Sequence, residues 1–131
     1  MTQPPIEKTI EKTIAAYFAA TRAMDRKAWV GTFAEDGASH DPVGAPPMKG
    51  HAALGQFFDG IVALTEKIGL TEDHVFICGN QAAVKWTGRG IGKNKKPLVF
   101  EGIDVMEIDA QGKIKTLHAY WDPSKLMAQL G

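Results

Sequence analysis

Leu98-Val99-Phe100-Glu101-Gly102-Ile103-Asp104-Val105-Met106-Glu107-Ile108 alternates with a period of two. That is the period of a β-strand, whose successive side chains point to opposite faces. One face reads Leu98, Phe100, Gly102, Asp104, Met106, Ile108; the other reads Val99, Glu101, Ile103, Val105, Glu107. The first face sets a single carboxyl, Asp104, among apolar and small neighbours. Burial disfavours the charged form and raises a carboxyl's pKa. A carboxyl that stays neutral near pH 7 is a hydrogen-bond donor, suited to a developing oxyanion. The alternative fate of this side chain is a structural partner such as Arg89, Lys113 or a backbone amide. The opposite face is mixed, and its Ile103 and Val105 suit it to packing against a second copy.

Reading outward, period two continues on both sides. Residues 68–78 and 81–91 are predicted strands with the turn Gly79-Asn80 between them, and residues 92–96 form a basic hairpin tip. After Asp109-Ala110-Gln111-Gly112 a last strand spans residues 113–121, and residues 122–131 are a short, weakly marked helix. Strands joined by short turns form an antiparallel meander.

The first half has helical periods. Ile6, Ile10, Ile14, Tyr17, Phe18 and Met24 form one apolar stripe over residues 6–24, with Tyr17 on the buried side. Its hydroxyl then needs a partner. Asp25 caps a second helix over residues 26–33, with Trp29 and Phe33 four apart. A third helix spans residues 51–63, with Leu54, Phe57, Phe58 and Ile61 facing in. Helices followed by a meander predict an α+β fold: three N-terminal helices against a curved, mostly antiparallel sheet, a cone with an apolar cavity at its open end.

Between the second and third helices lies Phe33-Ala34-Glu35-Asp36-Gly37-Ala38-Ser39-His40-Asp41-Pro42-Val43-Gly44. Pro42 removes a backbone donor and biases Asp41 towards extended geometry, while Gly44 permits a sharp exit. Asp41 is thereby held at a strand end, a suitable place for a base; the plainer reading is a surface turn.

The chain of 131 residues is read as one domain, residues 1–131, with 44% apolar and 23% charged residues. Fifteen basic and fifteen acidic residues cancel, which gives no electrostatic reason to expect nucleic acid or an anionic membrane as partner. Residues 1–5 lack the pattern of a signal peptide, and no apolar run approaches a membrane span. The single Cys78 excludes an internal disulfide and fits a cytoplasmic setting; it is expected to be a buried structural thiol. His40, His51, His74 and His118 show no metal-ligand spacing. Gly88-Arg89-Gly90-Ile91-Gly92 opens no helix and is read as part of a twisted hairpin, not a phosphate loop.

Phe33-Ala34-Glu35-Asp36 leading to Asp41-Pro42-Val43-Gly44 resembles a stretch of bacterial Δ5-3-ketosteroid isomerases, within the NTF2-like or SnoaL-like superfamily. Ile103-Asp104-Val105-Met106 and Ala119-Tyr120-Trp121 resemble their last strands, and Tyr17 lies where that family places an oxyanion-hole tyrosine. The resemblance implies Asp41 as general base, with Tyr17 and protonated Asp104 donating to an enolate oxygen. It implies a small hydrophobic, steroid-like ketone as substrate, an allylic double-bond shift and no metal or organic cofactor; the apolar outer positions Ile103 and Val105 predict a homodimer. Phe58, Trp86, Phe100, Met106, Leu117 and Trp121 are the candidate substrate-contacting residues, although Trp86 and Trp121 could equally fill the core. Phe33 and Phe58 stand where some members carry supporting tyrosines.

Two other readings share the fold. A cyclase, dehydratase or epoxide hydrolase of the same superfamily would need a different His, or an Asp-Arg-Asp set in which Arg89 points into the cavity. A non-catalytic, dimeric ligand-binding module would have the pocket filled by Trp86, Trp121 and Phe58. His40, next to Asp41, is expected to point away from it.

Overall fold

The computed structural model describes residues 6–131; residues 1–5, read above as lacking a signal-peptide pattern, and the side chain of Ile6 lie outside the described part. Helix α1 (Ile6–Ala23) is followed by α2 (Arg26–Val30), β1 (Phe33–His40), β2 (Met48–Lys49) and α3 (His51–Ala63). Four strands follow: β3 (Thr65–Cys78), β4 (Gln81–Gly92), β5 (Pro97–Ile108) and β6 (Ile114–Trp121). Helix α4 (Pro123–Leu130) ends the chain as given.

Ile10, Ile14, Tyr17 and Phe18 are buried along the stripe of α1. The helix stops one residue before Met24, which turns left-handed with φ 53° while the Asp25 amide donates back to the Ala20 carbonyl at 3.0 Å. Asp25 caps α2 by accepting from the Ala28 amide at 3.0 Å. The second helix is shorter than its apolar spacing predicts and does not reach Phe33. Thr32 donates to the Trp29 carbonyl through both its amide and its hydroxyl, and its own carbonyl accepts from the Ile114 amide at 2.9 Å. The last strand thus captures the chain at Thr32, and Phe33 opens β1 instead. Trp29 and Phe33 still meet edge to face, with ring centroids 5.0 Å apart.

The six strands form one sheet in the order β2-β1-β6-β5-β4-β3. The meander from β3 to β6 is antiparallel, as the turns predict, and β3 begins slightly earlier than expected, at Thr65. The addition is β1, which lies parallel to β6 with His40 opposite His118. The glycine-rich run lies within β4: at Gly90 the backbone of Lys67 approaches so closely that a Cβ would collide with its carbonyl.

On β5, Leu98, Gly102, Asp104, Met106 and Ile108 are buried, and Val99, Glu101 and Ile103 are exposed. The inner face meets α1 and α3. The outer face carries Phe76, Val99, Ile103 and Tyr120 in the open. His40 points to that side, stacked on His118 with ring centroids 4.5 Å apart and planes within 4°. Cys78 corrects its expectation: it is exposed, because its register opposite Gln81 places it on the outer face of the sheet, away from the helices. No helix among the described residues is long and apolar enough to cross a membrane.

Candidate active site

The sheet curls away from the helices at one end and leaves a narrow cavity, about 70 Å³ to a water-sized sphere, that opens to solvent at its mouth. Its walls are α1 through Tyr17 and Thr21, α2 through Trp29, and α3 through Phe57, Phe58 and Ile61. The sheet contributes Ile68, Leu70, Trp86, Phe100, Asp104 and Trp121, and α4 closes one side with Leu126. Asp41 stands just beyond the end of β1. Thr21 is occupied locally, its hydroxyl donating to the Phe18 carbonyl at 2.6 Å and accepting from the Leu70 amide at 2.9 Å. The polar groups left facing an apolar space are those of Tyr17, Asp41 and Asp104.

Each is held by a different part of the fold. Asp41 follows the His40–His118 pair, and two residues on the Val43 amide donates to the Ala119 carbonyl at 2.8 Å, so the backbone around Asp41 is tied to β6 on both sides. The side chain is tied as well: the Trp121 indole N–H donates to Asp41 Oδ1 at 2.6 Å. Asp41 as a residue keeps some surface open to solvent, but its carboxyl lies within the apolar walls. Burial pushes its pKa from the ordinary 3.8 up to about 6, against the opposing effect of the Trp121 hydrogen bond. At pH 7 this group is ionised in most molecules and close to the range useful for a base.

Asp104 is 1% exposed. Its partner is neither Arg89, Lys113 nor a backbone amide but the Trp86 indole, which donates to Oδ1 at 2.9 Å; Oδ2 is buried and unpartnered. Burial, and then the charge on Asp41, hold its pKa well above the usual carboxylate range, with the Trp86 bond acting weakly the other way. Burial thus raises both carboxyls, Asp41 to about 6, and for Asp104 the charge of Asp41 adds to the effect. Tyr17, 2% exposed, sits against Phe18, Trp29 and Phe33 at centroid distances of 4.9, 5.7 and 6.1 Å. Burial and the charges of Asp104 and Asp41 raise its pKa well above 10, with Trp29 acting against them. It is a neutral donor at any ordinary pH.

Of the candidate substrate-contacting residues, Phe58, Trp86, Phe100 and Trp121 line the cavity. Met106 and Leu117 do not: both are fully buried in the hydrophobic cluster with Ile10, Ile14 and Phe18. Alternation assigns a residue to the inner face but does not say whether a helix covers that point. Trp29 and Leu126 are cavity walls that sequence reading missed. Trp29 carried a weak signal, lying on the same apolar stripe as Phe33; Leu126 carried none. Phe33 and Phe58 leave Tyr17 without phenolic neighbours. Arg89 is exposed on the outer side, and among the described residues no arginine lines the cavity and no group of three or more His, Cys, Asp or Glu is arranged for a metal.

A cone of sheet and helix with an acid-lined apolar pocket defines a class that sequence comparison identifies directly: the chain belongs to the SnoaL-like domain family, whose pattern matches residues 14–117. A curated relative is the steroid Δ-isomerase of Nocardioides simplex, 27% identical over 118 residues that cover 90% of this chain and 94% of the relative. Among solved structures, the epoxide hydrolase/cyclase-like enzyme SalBIII of pyran ring formation in the polyether salinomycin superposes with a TM-score of 0.80. It is 23% identical, over 91% of this chain and 95% of that one. An NTF2-like protein of unknown function from Burkholderia pseudomallei also gives 0.80, at 16% identity over 93% and 97%. At those identities the two structures establish the NTF2-like fold and nothing finer.

Proposed function

We propose that the protein is a cofactor-independent isomerase of a hydrophobic, steroid-like ketone. The observation that carries the reading is that Asp41, the fully buried Asp104 and the buried phenol of Tyr17 face one apolar cavity, where burial raises the pKa of all three, Asp41 to about 6. Asp41 takes a proton from the carbon alpha to the carbonyl. The C–H electron pair moves into the carbonyl, giving a dienolate whose oxygen accepts hydrogen bonds from Tyr17 and Asp104. Asp41 then returns the same proton two carbons away, so the double bond moves into conjugation and nothing is consumed. Preorganised donors in a dry site commonly contribute ~10²–10³ in rate each. The step is proton transfer alone and calls on no metal or organic cofactor. The named activity of the Nocardioides relative supports the same chemistry. The hydrolase alternative is weakened by the position of Arg89, outside the cavity. In the binding-module alternative Phe58, Trp86 and Trp121 fill the pocket without turnover, so the turnover assay separates the two readings.

The test is turnover of 5-androstene-3,17-dione, followed by absorbance of the conjugated product, in the wild type and in Asp41→Asn. Loss of the base should lower kcat by at least ~10²–10⁴. A wild type with no turnover, or a variant as active as the wild type, overturns the reading.

A further inference from the structure

In the β4–β5 pairing Trp86 stands opposite Gly102, and Asp104 stands opposite Val84, one inner-face position further along. The Trp86 indole reaches Asp104 by lying diagonally across β5. It can do so because position 102 has no side chain: a Cβ there would sit 2.5 Å from Trp86 Cζ2. Phe100 holds the ring from the other side, edge to face at 5.6 Å and 81°. The indole N–H therefore meets Oδ1 in one fixed geometry, at 2.9 Å, while Oδ2 has no partner among the described residues.

An indole N–H donates and cannot accept. In a neutral carboxyl the carbonyl oxygen is the good acceptor and the hydroxyl is the donor. We infer that Trp86 is a positioning residue: by occupying Oδ1 it assigns the proton of Asp104 to Oδ2, the one oxygen left to meet a ligand. Without that contact the carboxyl could place its proton on either oxygen, and only one arrangement presents a donor to the dienolate. The use of this donor in catalysis rests on the isomerase reading; the placement of the proton does not. The other titratable groups facing Asp104 are Asp41 and Tyr17, and neither is bonded to it in this structure.

The test replaces Trp86 by 3-benzothienylalanine, which keeps both rings and puts sulfur in place of the N–H; Trp86→Phe is the second variant. Infrared difference spectra of the full chain, with isotopically labelled aspartate, isolate the neutral-carboxyl C=O stretch of Asp104 as the band lost in Asp104→Ala. The band should be present at neutral pH and move to higher wavenumber in both Trp86 variants, because the C=O loses its donor. With the steroid ketone, kcat should fall about tenfold, the equivalent of one hydrogen bond, with KM little changed. In an Asp104→Ala background the same replacement should alter kcat less than twofold. A missing neutral-carboxyl band, a band unmoved by the benzothiophene, or a fall in kcat that persists without Asp104 overturns the inference. A band that moves in a protein with no turnover of the ketone upholds the proton placement and removes the isomerase reading instead.

Discussion

Asp41→Asn should cost the protein its base and make it more stable, in a pH window that the structure sets. The Asp41 carboxyl has an ordinary pKa of 3.8 and is raised to about 6 in the fold by burial. Between those values the native state keeps a proton that the unfolded chain has already released, so native stability falls as pH rises through the window. The contribution is fully present below 3.8 and has been lost by the time pH passes about 6. At ~1.36 kcal/mol per pH unit the loss amounts to about 3 kcal/mol at pH 7 and roughly half of that at pH 5. Asparagine carries no charge to desolvate, and its carbonyl can still accept from Trp121. The variant should therefore match the wild type near pH 4 apart from a constant offset, and gain on it as pH rises. With a urea slope of about 2 kcal/mol/M, typical for a small protein, the gain at pH 7 is a midpoint shift of ~1.2 M relative to pH 4, where roughly 0.5 kcal/mol has already been lost. Urea unfolding of both proteins at pH 4, 5 and 7 measures it. A difference in stability that does not change with pH would refute the argument, because it would mean that Asp41 is not held against its own ionisation by the fold.

Three further outcomes follow from the same geometry. Trp121→Phe removes the N–H that favours the ionised form of Asp41; a hydrogen bond to a charged group is worth ~1.5–3 kcal/mol, so the acid limb of kcat/KM should move from about 6 to roughly 7–8. A limb that stays in place would separate Trp121 from the base. Arg89→Ala should leave turnover within about twofold, since Arg89 is exposed and outside the cavity; a loss of tenfold or more would restore a hydrolase-like role for a cation. The outer sheet face, with Phe76 71%, Val99 57%, Ile103 45% and Tyr120 52% exposed, is expected to be covered by a second copy of the chain. Sedimentation equilibrium at micromolar concentration tests this, and a monomer would rule it out.

The sequence by itself determined what depends on near neighbours. Alternation on β5 set Asp104 facing inward, the stripe of α1 set Tyr17 among apolar residues, and Pro42 and Gly44 marked the strand end that carries Asp41. Each is a local consequence of helix or strand period, or of a residue's backbone preference. Tertiary structure decided what depends on which elements lie side by side. The parallel pairing of β1 with β6 ended α2 early and brought Asp41 to Trp121, a contact between residues 80 positions apart. The β4–β5 register set Trp86 opposite Gly102 and so within reach of Asp104. Met106 and Leu117 became core, and Trp29 and Leu126 cavity wall, because the helices cover one end of the inner face and leave the other open. A residue's period tells which way it points; only the packed neighbours decide whether it meets a helix, a partner's indole or empty space.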